Sequence, residues 1–338
     1  MNEGLTEISN SLLINNESGS SNLNNAIISI GNGSKTTIVN SVLSNNKSNT
    51  NHGLIETGYH RLSTDVVSFT PDTLTISNSI LWTNTGGIAN NNNSIITVTN
   101  STMQNGYPGF GNISQDPLFV HPCVKQGRDS SVFLDDWHLR GCSPCINTGN
   151  NSLINDPTDL DGNPRIVETV DMGAYEYQTI PTGNWVYGDI EYDNADSTVV
   201  DSVMVKLKSG EVVIDSFLTR SPGEFCFSNV QPGNYTIECS SSRSWGGVNS
   251  VDALLILKHF TEISQLTNLR LQAAYIDGNT WLNSIDALLI AKRYTGYIMN
   301  YPQSDWLFEP ANIVVGNANA EVRVKAICRG DVNGSYVP

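Results

Sequence analysis

Four copies of one phrase dominate the first third of the chain. They read Ile8-Ser9-Asn10-Ser11-Leu12-Leu13, Ile38-Val39-Asn40-Ser41-Val42-Leu43, Ile76-Ser77-Asn78-Ser79-Ile80-Leu81 and Val98-Thr99-Asn100-Ser101-Thr102-Met103. The copies start 30, 38 and 22 residues apart. The shortest step suits one turn of a β-solenoid, and the longer ones suit a turn carrying an inserted loop. Runs such as Ile27-Ile28-Ser29-Ile30 and Ile95-Ile96-Thr97-Val98 predict strands, and Asn15, Asn45, Asn84 and Asn105 predict the corners that follow. Asn supplies 20 of the first 100 residues, which disfavours helix. Stacked turns superpose Asn10, Asn40, Asn78 and Asn100, predicting a ladder of side-chain amides. The same stacking places Ile8, Ile38, Ile76 and Val98 in register along one parallel sheet.

Charge narrows the function. The net charge is −15, with 33 acidic against 18 basic residues, and no basic stripe stands out to bind nucleic acid. Only 15% of residues are charged, so Asn, Ser, Thr and Gly carry the polarity. No apolar run approaches the roughly 18 residues of a membrane span. Met1-Asn2-Glu3-Gly4 has neither the basic nor the apolar region of a signal peptide. Six Cys without zinc-like clustering fit an oxidising compartment. The expectation is an extracellular or cell-surface protein, seen as a mature chain or a fragment, with further turns preceding Met1.

From Asp116 the repeat gives way to Asp116-Pro117-Leu118-Phe119-Val120, Asp136-Trp137-His138-Leu139 and Ser143-Pro144-Cys145-Ile146-Asn147-Thr148-Gly149. Asp159-Leu160-Asp161-Gly162-Asn163-Pro164-Arg165 and Val170-Asp171-Met172-Gly173-Ala174-Tyr175-Glu176 follow. Over about 116–177 this order resembles the end of right-handed parallel β-helix proteins of the choice-of-anchor kind on bacterial surfaces. The resemblance implies a cap closing a right-handed β-helix that spans 1–178. Asp159, Asp161 and Asn163 alternate as in a calcium loop, but Val170 stands at the twelfth position, so a turn locked by carboxylate-to-amide bonds is expected. Cys142-Ser143-Pro144-Cys145 lacks a thioredoxin-like surround. A disulfide from Cys123 to Cys142 or Cys145 is expected instead.

Beyond a short linker, Ile180-Pro181-Thr182-Gly183, evenly spaced strands fill 184–240. Gly223-Glu224-Phe225-Cys226-Phe227 and Tyr235-Thr236-Ile237 alternate with period two around Pro232-Gly233. This hairpin resembles that of the prealbumin-like β-sandwich. Parity points Phe225, Phe227, Tyr235, Ile237 and Cys239 inward and Cys226 outward, arguing against a Cys226–Cys239 bridge. The pairing of Cys226, Cys239 and Cys328 stays open.

Two copies of a sharper motif lie 34 residues apart within 241–300: Val248-Asn249-Ser250-Val251-Asp252-Ala253-Leu254-Leu255-Ile256 and Leu282-Asn283-Ser284-Ile285-Asp286-Ala287-Leu288-Leu289-Ile290. Each reads as a loop entering a helix. The pair is similar to the loop–helix units of dockerin domains, whose loops bind calcium. Mapped onto that pattern, Asp277, Asn279 and Asp286 take positions three, five and twelve of the second loop, with Tyr275 at one. In the first, Asp252 takes position twelve, but Ser241, Arg243 and Trp245 hold the front positions. The last residues, Gly330-Asp331-Val332-Asn333-Gly334-Ser335, supply a front half without a helix. A split site of Asp331, Asn333 and Ser335 with Asp252 is therefore expected, holding calcium; one or two ions are expected in all. The alternative is that these Asp residues merely cap their helices. Residues 301–338 return to a strand pattern that would complete the sandwich. Arg329-Gly330-Asp331 spells an integrin tripeptide, but the loop explains Asp331 better.

No catalytic set emerges. The solenoid acids are Glu3, Glu7, Glu17, Glu56, Asp65 and Asp72, with Lys35, Lys47 and Arg61 as bases. None recur on a face as glycoside hydrolysis or lyase chemistry requires. His52, His60, His121, His138 and His259 belong to no metal or nucleophile signature. The expectation is a mainly β, non-catalytic structural or adhesive protein. It is a right-handed parallel β-helix, then a β-sandwich carrying a small dockerin-like helical pair. Its partners are other extracellular proteins, copies of itself or carbohydrate. The competing reading is the C-terminal part of a carbohydrate-active enzyme bearing a dockerin-like docking unit.

Overall fold

The structure is a computed structural model that describes residues 4–18, 26–48, 53–59, 70–91, 93–123, 126–127, 135–179, 183–220 and 223–338. Glu3, His52, His60, Arg61, Asp65 and linker residues 180–182 lie outside these. The chain divides into two compact units, Met1–Ile180 and Pro181–Pro338, and is mainly β. Among the described residues no helix is long and apolar enough to cross a membrane.

The first unit opens with β1 (Leu5–Ser9), β2 (Leu12–Ile14), β3 (Ile28–Gly31), β4 (Lys35–Val39), β5 (Val42–Ser44) and β6 (Ile55–Tyr59). It continues with β7 (Thr73–Ser77), β8 (Ile80–Trp82), β9 (Ile88–Asn90), β10 (Ile95–Thr99) and β11 (Thr102–Met103). These form three parallel sheets, β1-β4-β7-β10, β2-β5-β8-β11 and β3-β6-β9. Ile8 pairs with Ile38, Ile38 with Ile76 and Ile76 with Val98, as the repeated phrase requires. A one-residue slip would turn these side chains away from the core, which fixes the register. Ile38, Leu43, Ile55, Leu74 and Ile76 are completely buried there.

The amide ladder is not where the phrase suggested. Asn10, Asn40, Asn78 and Asn100 hold left-handed corners, with φ of 43, 48, 47 and 46°, a conformation Asn tolerates. The backbone already makes the rung-to-rung bonds there, Asn10 N to Val39 O and Asn40 N to Ser77 O. Their side chains turn elsewhere. The ladders are built by the neighbouring serines and by a second Asn column. Ser11 N donates to Ser41 Oγ (3.2 Å), Ser41 N to Ser79 Oγ (3.3 Å) and Ser79 N to Ser101 Oγ (3.1 Å). Asn16 Nδ2 donates to Asn46 Oδ1 (2.9 Å), and Asn46 Nδ2 to Asn84 Oδ1 (2.9 Å). Asn46 is completely buried, and Asn46→Ala would remove its side-chain bonds to Asn16, the Leu13 carbonyl and Asn84, which should cost about 1–3 kcal/mol. A lower urea midpoint at unchanged slope would show it; an unchanged midpoint would refute the ladder's role.

Two further strands, β12 (Phe119–His121) and β13 (Asp136–Leu139), pair antiparallel. Phe119, Trp137, Leu139, Cys145, Met172 and Ala174 pack on Val42 and Ile80 of the parallel sheet. Asn100 Nδ2 donates to Thr148 O (3.4 Å), Asn78 Nδ2 to Asn150 O (3.1 Å) and Asn10 Nδ2 to Asp156 Oδ2 (2.8 Å). The segment thus meets the rungs in reverse order, as a strap along their side. The last rung is instead covered by 110–113, where Asn100 N donates to Phe110 O and Ile113 N to Ser101 O. The expected disulfide is also corrected: Cys123 and Cys145 are thiols, while Cys142 is disulfide-bonded. Cys145 is completely buried in the apolar cluster, where a thiol packs as a small hydrophobe; that burial raises its pKa far above the ordinary range.

The second unit comprises β14 (Asn184–Tyr192), β15 (Val203–Ser209), β16 (Val212–Leu218), β17 (Glu224–Val230) and β18 (Gly233–Ser241). After them come α1 (Ser250–Phe260), α2 (Asn268–Ala274), α3 (Ser284–Tyr294), β19 (Trp306–Phe308), β20 (Ala311–Val315) and β21 (Ala320–Cys328). A β-sandwich results, with sheets β17-β14-β21-β19 and β16-β15-β18-β20. The helices are thus an insertion between β18 and β19. Phe225, Phe227 and Ile237 are buried, as alternation dictates. Cys226 is disulfide-bonded, and Cys239 and Cys328 are thiols.

Candidate functional site

Both duplicated motifs start their helices in the same way. Asn249 and Asn283 are N-caps, accepting from Val251 N (2.8 Å) and Ile285 N (2.7 Å). Asp252 and Asp286, one turn in, accept from the cap amides of Asn249 (2.8 Å) and Asn283 (3.0 Å). These are capping boxes with Asp in place of Glu. Each Asp is completely buried and uses its other oxygen on a second segment. Asp286 Oδ1 accepts from Ile276 N (2.9 Å) and Asp277 N (3.3 Å). Asp252 Oδ1 accepts from Asn333 N (3.1 Å), in the C-terminal tail.

The tail therefore stands to Asp252 as residues 275–279 stand to Asp286. Ser335 N donates to Asn333 Oδ1 (2.8 Å), as Asn279 N does to Asp277 Oδ1 (3.0 Å). Val332 and Ile276 are buried in the same helical core. Asn249 Nδ2 meets the Gly247 carbonyl (3.2 Å) as Asn283 Nδ2 meets that of Trp281 (3.0 Å). Asp331, Asn333 and Ser335 are thus brought to Asp252, and Asp277 and Asn279 to Asp286. The Gly247 carbonyl, which side-chain patterns cannot reveal, accepts from Ser335 Oγ (3.0 Å) and joins the first group.

The two loops differ in charge. Asp331 is completely buried; its Oδ2 accepts from Tyr192 OH (2.6 Å) and Tyr336 N (3.1 Å). Burial, reinforced by the nearby Asp331, pushes the Asp252 carboxyl up to about 6, although backbone amides oppose it. The second loop has Tyr275 where the first has Asp331. Among the described residues no three His, Cys, Asp or Glu side chains gather as a metal site. The first loop offers two carboxylates and three neutral oxygens (Asn333, Ser335 and the Gly247 carbonyl). That hard, all-oxygen set fits calcium and no softer metal. The tripeptide Arg329-Gly330-Asp331 is buried throughout.

The strap holds a second charged cluster. Arg165, Asp171 and Glu176 are almost completely buried, as is Asp159. Asp171 accepts from Asn147 N (2.7 Å) and Tyr177 N (2.6 Å), and Glu176 from Val167 N (2.8 Å) and Asp171 N (2.9 Å). Asp159 accepts from the amides of Asp161 and Asn163 and from Glu176 N, which makes 159–163 a carboxylate-locked turn. Every oxygen of these three acids stitches backbone. In the repeat region, Asp72 likewise accepts from backbone amides, those of Gly33, Ser34 and Gly58, and Glu17 pairs with Lys47 at 3.0 Å.

Over residues 182–256 the chain is similar to the family described as the second beta sandwich domain of BOS complex subunit NOMO1-like proteins. That stretch covers β14–β18 and runs into α1. No curated protein matches the chain.

Proposed function

We propose that the chain is a secreted or cell-surface structural protein whose second unit is a calcium-clamped, dockerin-like assembly module. Its first unit is a right-handed parallel β-helix stalk, and neither unit is catalytic. One observation carries the assembly reading. Val251 and Ile285, Leu254 and Leu288, Phe260 and Tyr294, and Ile263 and Tyr297 are pairs 34 residues apart, and all eight are 48–78% exposed. Both repeats leave the same apolar face in water, a patch that marks a protein interface. The partner is a protein presenting a complementary apolar face. A family description naming a complex subunit supports this. Calcium would be held by Asp331, Asn333, Ser335, Asp252 and the Gly247 carbonyl. Its charge would offset two carboxylates buried close together.

The test uses the intact chain as bait in the secreted fraction of its source, beside a Val251→Asp, Leu254→Asp, Ile285→Asp, Leu288→Asp variant. A protein retained in calcium and lost with the variant supports the reading, as does self-association lost in the same way. If neither retention nor self-association depends on that face, the assembly reading fails.

A further inference from the structure

His138 lies on β13, with each ring nitrogen aimed at a different carboxylate. Nδ1 is 2.6 Å from Asp136 Oδ1, and Nε2 is 2.8 Å from Asp161 Oδ2. The ring stacks on Tyr175, with centroids 4.0 Å apart. A neutral imidazole carries one N–H and one lone pair, so it can donate to only one of these acids. The imidazolium donates to both. We propose that this triad is a proton-operated latch that holds the 159–163 turn of the strap to β13 when His138 is charged and lets it go when the proton leaves.

The surrounding groups fix which contact opens. Asp136 is two residues away on the same strand and also accepts from His138 N (3.0 Å), so the chain itself keeps it beside Nδ1. The remaining proton stays on that side. Asp161 then faces the Nε2 lone pair and is repelled. Among the described residues the other titratable groups nearby are Tyr175, whose phenol burial and these acids push up, His121, paired across the strands with Asp136, and Asp159 in the turn. Arg140, the nearest cation along the strand, is turned to the Val120 carbonyl at 3.0 Å. Burial lowers the pKa of His138, but the hydrogen bonds to Asp136 and Asp161 and their charges outweigh it and raise the pKa. A raised folded-state pKa gives stability that is complete below the unfolded value of about 6.5 and lost as pH rises through the folded one. The latch closes in mild acid and opens toward alkaline pH.

The imidazole Cε1–H resonances of the intact chain should show His138 titrating above about 6.5. Asp161→Asn should move that midpoint down by at least half a pH unit. Amide exchange of residues 160–163, corrected for its intrinsic pH dependence, should rise several-fold above the midpoint. In His138→Phe, which keeps the stack on Tyr175, the corrected exchange should not vary with pH. The latch is overturned if His138 titrates as an exposed histidine does, if Asp161→Asn leaves its midpoint in place, or if exchange in the turn ignores that midpoint.

Discussion

Arg165→Met should lower the stability of the intact chain by about 3–5 kcal/mol, because it removes the one cation that the described residues bury among Asp171, Glu176 and Asp159. Arg165 works mainly by charge. Its Nη2 donates to Gly173 O (2.5 Å), while Nε and Nη1 find no acceptor among the described residues. The loss should deepen with pH. Burial pushes Asp171 up to about 6 and Glu176 up to about 7, against the amide bonds and Arg165, which pull them down. A carboxyl whose folded pKa is raised binds its proton more tightly in the folded state. Its stabilisation is complete below the unfolded value of about 4 and lost as pH rises through the folded one. Wild-type stability should therefore fall between pH 5 and about 8, and the variant should fall more steeply. Denaturant midpoints at both pH values check this. Parallel pH dependences in the two proteins would exclude the charge role.

Removing residues 331–338 should be the other large effect. The truncation deletes Val332, 1% exposed in the helical core, whose burial is worth about 1.5–3 kcal/mol. It also strips Tyr192 OH of its acceptor, about 1–3 kcal/mol more. It takes Tyr336 from its edge-on contact with Tyr192, centroids 5.6 Å apart. If calcium fills the first loop, the intact chain should gain about 2.7 kcal/mol when free calcium is 100 times Kd. The truncated chain should show almost none of that gain. Asp331→Asn separates the two contributions, since it keeps the tail and removes a ligand charge. Melting temperatures of the three proteins in calcium and in chelator decide the matter. Equal shifts in all three would rule out the split site.

Much of this architecture was legible because it rests on periodicity. The column Ile8, Ile38, Ile76, Val98 and the inward Phe225, Phe227 and Ile237 each follow from which face must be buried. The twin capping boxes follow from duplicated Asn and Asp at fixed spacing. What escaped has no periodic signal. Asn10 and Asn16 look alike in sequence, yet one holds a corner and bonds the strap while the other carries the ladder. The difference lies in where backbone bonds already saturate the rung. The Gly247 carbonyl and the Asp136–His138–Asp161 triad escaped for a related reason. One is main chain, and the other joins residues 23 positions apart across a turn.

The strap also behaves as a gauge of length. Its contacts at Thr148, Asn150 and Asp156 engage Asn100, Asn78 and Asn10, separations of 48, 72 and 146 residues. Contacts of such high order carry a loop-closure cost that pairing of the intervening rungs reduces. Each corner Asn is spaced along the stack by about 4.8 Å per rung, so a missing or extra rung between Asn10 and Asn100 would leave the strap out of phase with every later partner. Loops between rungs can lengthen freely, and they do, in steps of 30, 38 and 22 residues. The number of rungs beneath the strap cannot. Variation in this fold is thereby steered to the loops and to regions the strap does not span.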